Sequence, residues 1–186
     1  MTHRRQISNG MKFSPTKLHG VFVIDIESIE DKRGFFARTW DEEVTAANGC
    51  AMRTVQCNIS FNQKAGTLRG MHYQDEPYAE PKIVRCTQGS LYDVALDLRP
   101  DSRTFKQWTS FELSAENRRM LYIPEGCAHG FQTLEDITEV FYQMGEYFHP
   151  ECARGVRFND PAFNITWPEA ARIISEKDLS YPLWTP

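Results

Sequence analysis

The sequence predicts an all-β protein, a sandwich or barrel of β-strands with a few short helices. Many short apolar or alternating stretches are separated by turns rich in Gly, Pro, Asp and Asn, which is typical of such folds. Helical periodicity is confined to a few brief segments. With 186 residues, of which 41% are hydrophobic, the chain can build one hydrophobic core without disulfide bonds.

Composition and charge exclude several classes of protein. The net charge is -4, the pI is near 5.8 and no basic block offsets this balance, so we expect no binding to nucleic acid. No apolar run has the length of a membrane span, and the basic start is not followed by the apolar segment of a signal peptide. The five cysteines are scattered and form no C-x-x-C pair, which favours free thiols. We therefore expect a soluble, cytoplasmic protein with no membrane segment.

The N-terminal third is predicted to contain strands and one helix. Residues 1–15 are polar and are expected to form a loose N-terminal arm. The apolar run 21–26 predicts the first strand, and a turn beginning at Asp31 leads into the second. A helix is predicted over 41–47, because Asp41 can cap its N-terminus and a glycine follows its end.

The remainder is denser in strands. Further strands are predicted over 54–61, 66–74, 82–87, 91–98, 105–113, 120–123, 130–133 and 139–147. Gln88-Gly89-Ser90 is a tight hairpin signal between two of them. A single helical turn is predicted over 114–118 and a second helix over 169–177. No repeat, low-complexity tract or linker interrupts this pattern, so we predict a single domain over 1–186.

The stretch Gly-Thr-Leu-Arg-Gly-Met-His-Tyr-Gln, residues 66–74, carries the first candidate functional residue. Alternation places Gly70 and His72 on one face of the strand, with Arg69 and Met71 on the other. A glycine two residues before a histidine leaves room for a group to approach the imidazole. Because a lone histidine in a strand is more often structural, this interpretation depends on the other residues of the site.

Four other side chains complete a set with recognisable chemistry. Lys82 and Tyr142 lie in apolar strands, His129 lies on a turn of the form Pro-x-Gly-x-x-His, and Asp178 lies in the C-terminal segment. No Ser or Cys has the context of a nucleophile elbow, and no glycine-rich phosphate loop is present. A set of His, Lys, Tyr and Asp suits proton transfer at a carbon next to a carbonyl. That reaction needs a base, a cation for the enolate oxygen and an acid on the opposite face.

Six segments between residues 18 and 182 add a family resemblance to this interpretation. They are residues 31–36, 67–74, 82–86, 92–99, 123–131 and 175–178. In their order and spacing they closely resemble the dTDP-4-dehydrorhamnose 3,5-epimerases, cofactor-independent enzymes of the cupin superfamily that act on nucleotide sugars. The resemblance implies a cupin-type antiparallel β-sandwich or jelly-roll barrel, a homodimer, and a site inside the barrel mouth.

The resemblance also implies roles for individual residues. His72 matches the catalytic base and Asp178 the carboxylate that orients it. Lys82 matches the cation that stabilises the enolate, and Tyr142 the acid that returns a proton from the opposite face. Substrate-binding positions are implied at Arg69, Arg33, Phe36, Gln56, Asn58, His129 and Lys177, of which Arg33 and Phe36 would come from the partner subunit. Neither a metal nor another cofactor is implied.

Two departures from the family pattern leave the substrate partly open. Arg38 stands where many members have a glutamate near the nucleotide, and Phe148 stands where a second tyrosine is frequent. The nucleotide, the exact sugar and the choice between C3, C5 and double epimerisation therefore stay open at this point.

Two alternatives belong to other functional classes. Pro124-x-Gly-x-x-His129 resembles the second motif of metal-dependent cupins, but Tyr73 and Gln74 follow His72 where the first metal-binding motif requires His-x-His. A sugar-binding cupin without catalytic activity would be expected to lack part of the acid–base set, whereas all four of its residues are present here.

Overall fold

The computed structural model describes residues 10–185, most of which lie in two β-sheets. In chain order the elements are β1 (Met11–Pro15), β2 (Phe22–Ile26), β3 (Ile29–Asp31), β4 (Gly34–Phe36), α1 (Glu42–Ala47), β5 (Gln56–Asn62), β6 (Leu68–Gln74), β7 (Lys82–Gln88), β8 (Ser90–Asp97), β9 (Trp108–Ser114), β10 (Met120–Ile123), β11 (Cys127–Thr133), β12 (Thr138–Met144), β13 (Ala153–Gly155) and α2 (Glu176–Ser180).

The larger sheet has six strands in the order β1-β2-β10-β7-β12-β5, and the smaller has five in the order β13-β6-β11-β8-β9. A separate hairpin pairs β3 with β4. The ladders between these strands are antiparallel. The predicted all-β, cupin-type sandwich with a few short helices is therefore confirmed.

The main core fills the space between the two sheets. Alternate residues of strands from both sheets point into it, among them Val84 and Val140 from the larger sheet and Leu91 and Phe131 from the smaller. A second cluster, which includes Met71 and Val94, lies on the opposite face of the smaller sheet. The smaller sheet is therefore packed on both of its faces.

The predicted strands and the first helix agree with the structure to within a few residues. The N-cap of α1 is confirmed, because the Asp41 carboxylate accepts a hydrogen bond of 3.1 Å from the Val44 amide. The expected loose arm over 1–15 is wrong for Met11–Pro15, which form β1 and pair with β2. Residues 1–9 lie outside the described residues.

One of the two remaining helical predictions is confirmed and the other is wrong. Residues 114–118 form a single turn, closed by a hydrogen bond of 3.0 Å from the Arg118 amide to the Ser114 carbonyl. The turn does not continue, because Arg118 has a φ of 54° and the side chain of Asn117 caps the neighbouring amides. The segment 169–177 runs beside β6 instead of forming a helix, since Ile173 accepts a hydrogen bond from the Leu68 amide. The helix begins only at Glu176, after Ser175 has capped it.

Candidate active site

A cleft of about 320 Å³ opens between the sheets, and side chains from five strands line it. The larger sheet contributes β5, β7 and β12, and the smaller contributes β6 and β11. The lining residues are Asn58, Ile59, Ser60, Arg69, His72, Glu80, Lys82, His129, Phe131, Tyr142 and Met144. His72, Lys82 and Tyr142, which the sequence predicted to act together, therefore face one space.

His72 is paired with the carboxylate of Asp178. The Nε2 atom of His72 lies 2.7 Å from Oδ1 of Asp178, and the Gly70 amide donates to Oδ2 at 3.2 Å. The Asp178 side chain is only 5% exposed, and α2, which carries it, is capped by Ser175. Burial by itself raises the pKa of Asp178, but its hydrogen bonds to His72 and Gly70 and the charge of His72 together hold it below the ordinary value. Asp178 is therefore a carboxylate at neutral pH.

The predicted alternation along β6 is wrong at this site. Arg69 and His72 line the same cleft, and Met71 is buried on the other side of the sheet. The register with β11 shifts here, since Gly70 and Met71 both lie opposite Gly130. A Cβ atom on Gly70 would come within 2.5 Å of the Gly130 Cα atom, so this glycine permits two backbones to approach.

Lys82 lies at the start of β7 and forms a buried ion pair with Glu80. Its Nζ atom is 2.7 Å from Oε1 of Glu80, and the two side chains are 5% and 10% exposed. Sequence reasoning missed Glu80, although a carboxylate two residues from a lysine on the same face of an extended segment was the available signal. The pair places one cation beside one anion at the edge of the cleft.

Tyr142 reaches the cleft from β12 and packs against the main core. Burial raises the pKa of its phenol, the charge of Asp93 raises it further, and Arg69 and the Ser60 hydroxyl oppose the change only in part. The hydroxyl therefore keeps its proton at neutral pH and can serve as a donor.

A second histidine–carboxylate pair forms the floor of the cleft. Nε2 of His129 lies 2.6 Å from Oδ1 of Asp93, and both residues are buried. The ring of His129 meets that of Tyr142 edge to face, with 6.0 Å between the ring centroids. His129 was expected on a turn but is the third residue of β11, because the strand begins directly after Gly126.

The predicted substrate-binding residues fall into three groups. Asn58 lines the cleft and accepts a hydrogen bond of 3.1 Å from its neighbour Gln56. Lys177 lines an adjoining cavity of about 330 Å³, which shares Arg69 and His72 with the cleft. The third group, Arg33 and Phe36, lies on the β3–β4 hairpin and does not line the cleft of its own chain.

The two departures from the family pattern lie outside the proton-transfer set. Arg38 forms an ion pair of 2.8 Å with Asp41 at the start of α1. Phe148 is exposed, and its amide donates to the side chain of Gln56 at 3.4 Å.

Among residues 10–185 the structure has neither a metal-binding cluster nor a membrane-spanning helix. Within residues 10–185, no three His, Cys, Asp or Glu side chains come together in a way that could hold a metal ion. No helix in the same part of the chain has the length and apolar character needed to span a bilayer.

Comparison with known proteins decides the family. A family model described as dTDP-4-dehydrorhamnose 3,5-epimerase matches residues 15–185. The chain belongs to this family. The resemblance predicted from the six segments is thereby confirmed, and the cleft lies in the part of the chain that the family model matches.

Similar epimerases extend over nearly the whole chain. The dTDP-4-dehydrorhamnose 3,5-epimerase of Methanothermobacter thermautotrophicus is 43% identical over 91% of this chain and 92% of its own length. The crystal structure of the Bacillus anthracis epimerase, with TDP and PPi bound, has a TM-score of 0.90 and 41% identity, covering 94% of this chain and 99% of the other. The structure of the Legionella pneumophila 3,5-epimerase, in complex with dTDP-4-keto-L-rhamnose, has a TM-score of 0.87 and 36% identity. The match covers 93% of this chain and 92% of the Legionella chain.

Proposed function

We propose that this chain is an isomerase that inverts C3 and C5 of dTDP-4-dehydro-6-deoxyglucose, giving dTDP-4-dehydrorhamnose. The family and the names of its similar epimerases support both the reaction and the nucleotide sugar. The observation that carries the proposal is the His72–Asp178 pair, 2.7 Å apart, at a cleft that also contains Lys82 and Tyr142. These are the base, cation and acid that proton transfer next to a ketone needs.

The first step removes a proton from the carbon next to the C4 ketone. Nε2 of His72 is bonded to Asp178, so neutral His72 donates its Nε2 proton to the carboxylate and has a free lone pair on Nδ1. Nδ1 takes the substrate proton, and the electron pair of the C–H bond moves into the enolate. The Asp178 carboxylate stabilises the imidazolium that forms.

The enolate oxygen needs a positive charge beside it. Lys82 supplies that charge from the wall of the cleft, where burial makes an electrostatic contact stronger than it would be in water. The ammonium can donate to the oxygen while it keeps its hydrogen bond to Glu80, because it has three N–H groups.

Inversion requires a proton from the opposite face of the ring. Tyr142 donates it to the carbon, and the phenolate is then reprotonated by solvent. The phenol is suited to this step because burial keeps it protonated until the carbanion is present. His72 returns its proton to solvent, so the cycle is balanced without an oxidant, a reductant or another cofactor.

The nucleotide is proposed to bind at the rim of the cleft. Arg69 and Lys177 lie beside His72 and carry the positive charge that a diphosphate requires. Gln56 and Asn58 offer amides to the nucleotide, and His129 contacts the sugar from the floor.

We also propose a homodimer in which Arg33 and Phe36 reach the partner's cleft. The hairpin that carries them is unusually apolar for an exposed element, with Phe36 72% exposed. Ile59, on the edge strand of the larger sheet, is 62% exposed, and Arg85 on the same sheet has a buried Nε atom without a hydrogen-bond partner in the described part of the chain. Exposed apolar surface of this kind favours a protein interface.

A cytoplasmic location is proposed on the chemistry of the cysteines. Cys50, Cys57, Cys86, Cys127 and Cys152 are all free thiols. A protein with this number of unpaired thiols is better suited to a reducing compartment than to secretion.

Proton NMR in D₂O tests the activity and the substrate together. The protein is incubated with dTDP-4-dehydro-6-deoxyglucose and, separately, with the UDP and GDP analogues. Loss of the C3 and C5 proton signals with the dTDP sugar, together with the appearance of inverted product, is expected. No exchange at either carbon with any of the three would contradict the proposal.

A further inference from the structure

Among the described residues, Glu80 is the one carboxylate that directly contacts the proposed enolate-stabilising cation, and the proposed chemistry assigns it no step. Within residues 10–185, Glu80 is the only ion-pair partner of Lys82. The 2.7 Å distance between Oε1 and Nζ is that of a charge-assisted hydrogen bond. Both side chains line the cleft.

The backbone around Glu80 is rigid. Pro81 follows it and restricts Glu80 to an extended conformation. Pro81 is buried against Gly145, where a Cβ atom would come within 2.5 Å of the proline ring, and the Gly145 amide donates to the Pro81 carbonyl at 2.8 Å. The carboxylate is therefore held in place before any substrate arrives.

The surroundings of Lys82 explain why a fixed carboxylate is needed. Across the cleft, β6 presents Arg69 and His72, and β11 presents His129. The thiol of Cys127, also on β11, is buried in the core close enough to Lys82 for the two charges to interact. β12 presents the Tyr142 hydroxyl, and β8 contributes the Asp93 carboxylate, which is already bonded to His129. The residues of β10 that pair with β7 carry no charge. The carboxylates of Asp93 and Asp178 are already paired with His129 and His72, so among the described residues Glu80 is the carboxylate that offsets the charge of Lys82. An ammonium buried without such a partner would tend to lose its proton.

We propose that Glu80 is a positioning residue that keeps Lys82 charged and directed into the cleft before substrate binds. This inference rests on the proposed function, in which Lys82 holds the enolate oxygen. The carboxylate also offsets part of the lysine charge. Glu80 therefore widens the pH range over which Lys82 is an ammonium ion. It does not make the reaction faster at neutral pH.

The test compares Glu80→Gln with wild type in the pH dependence of substrate ring-proton exchange. Glutamine keeps a hydrogen-bond acceptor but removes the negative charge. We expect the alkaline limb of the profile to move to lower pH by about one unit or more. The rate on the plateau should remain within about threefold of wild type. An unchanged alkaline limb, or loss of activity at every pH, would overturn the proposal.

Two controls separate positioning from a general effect of charge or folding. Glu125→Gln removes an exposed carboxylate two residues beyond Ile123, the residue that pairs with Lys82 in the sheet. Among the described residues Glu125 makes no ion pair with Lys82, so the alkaline limb should stay in place. In a Lys82→Arg background, Glu80→Gln should no longer move the limb, because arginine does not titrate in this range.

A second measurement does not depend on turnover. The ¹³C chemical shift of the Lys82 Cε atom, assigned by its absence in Lys82→Arg, reports protonation of the amine directly. Its titration midpoint should fall in Glu80→Gln, and an unchanged midpoint would overturn the proposal even if the chain turned over no nucleotide sugar. The opposite result is also informative. If wild type shows no ring-proton exchange but the titration midpoint of Lys82 is still lower in Glu80→Gln, only the proposed function is contradicted.

Discussion

His72 and Asp178 are separated by 106 residues in sequence, yet Nε2 of one lies 2.7 Å from Oδ1 of the other. β6 supplies the imidazole, and a five-residue helix near the C-terminus supplies the carboxylate. The Gly70 amide holds the second carboxylate oxygen. The carboxylate is thus held by His72 on one side and by the Gly70 amide on the other. Because the fold fixes this carboxylate beside Nε2, it favours the tautomer of His72 that has its proton on Nε2.

Replacing Asp178 with Asn should lower turnover by roughly 10²- to 10⁴-fold while the protein stays folded. The amide can donate to Nε2 of His72, which would place the proton on Nδ1 and remove the lone pair that takes the substrate proton. The measurement is kcat for epimerisation, with circular dichroism as the check on folding.

Glu176→Gln is the matched control for Asp178→Asn. It removes an exposed carboxylate from the same helix, and its activity should remain close to that of wild type. Full activity in Asp178→Asn would show that the carboxylate does not control the base.

Tyr142→Phe should separate proton exchange from inversion. The substitution keeps the ring and its packing against the core and removes only the hydroxyl. His72 can still remove a proton, so solvent exchange at a ring carbon should persist, while inverted product at C5 falls by a large factor. NMR in D₂O distinguishes the two outcomes, and an unchanged yield of C5-inverted product would assign the acid to another group.

Removal of metal ions should leave the activity unchanged. In the proposed chemistry Lys82 supplies the positive charge at the enolate, a task that a bound metal ion would perform in other enzymes. Activity is measured after dialysis against EDTA and again after addition of Zn²⁺ or Fe²⁺. Loss of activity with EDTA that either ion restores would favour the metal-dependent alternative.

Asp97 is predicted to make stability depend on acid pH. Burial by itself raises the pKa of this carboxyl, but Arg99, Ser102 and Thr104 hydrogen-bond the ionised form and lower the pKa from 3.8 to about 2. Because the folded-state value is the lower one, the ionised carboxylate stabilises the fold above about pH 4, by about 2 kcal/mol. That contribution is lost as the pH falls through about 2.

Urea unfolding of Asp97→Asn at pH 7 and at pH 2 tests this dependence. The variant should be less stable than wild type at pH 7, and the difference should shrink at pH 2. The neighbouring Asp101→Asn, at an exposed position, serves as the control. A difference that does not change with pH would contradict the prediction.

Much of the fold could be predicted because the local signals agree with the tertiary structure. Asp41 caps α1 as its sequence context indicates, and Gly89 turns the β7–β8 hairpin with a φ of 73°. The segment 169–177 could not be assigned in this way, because its pairing with β6 is a long-range contact that overrides helix propensity.

In the candidate site, too, local features could be predicted and long-range contacts could not. The apolar strand that carries Tyr142 is evident from the sequence alone. The proximity of His72 and Asp178 came only from the family resemblance, since no local rule joins a strand to a distant helix. The bulge opposite Gly130 reversed the predicted face of Arg69, and nothing in the alternation indicated it. Glu80 was missed although it precedes Lys82 by only two residues, because the burial that makes this ion pair significant is not evident from the sequence.

Ring-proton exchange in His72→Asn shows whether His72 is the base. The variant and wild type are incubated with dTDP-4-dehydro-6-deoxyglucose in D₂O, and the C3 and C5 proton signals are followed by NMR. Exchange at both carbons is expected with wild type, and none above the uncatalysed rate is expected with the folded variant. Exchange at C5 at the wild-type rate in His72→Asn would contradict the assignment of His72 as the base.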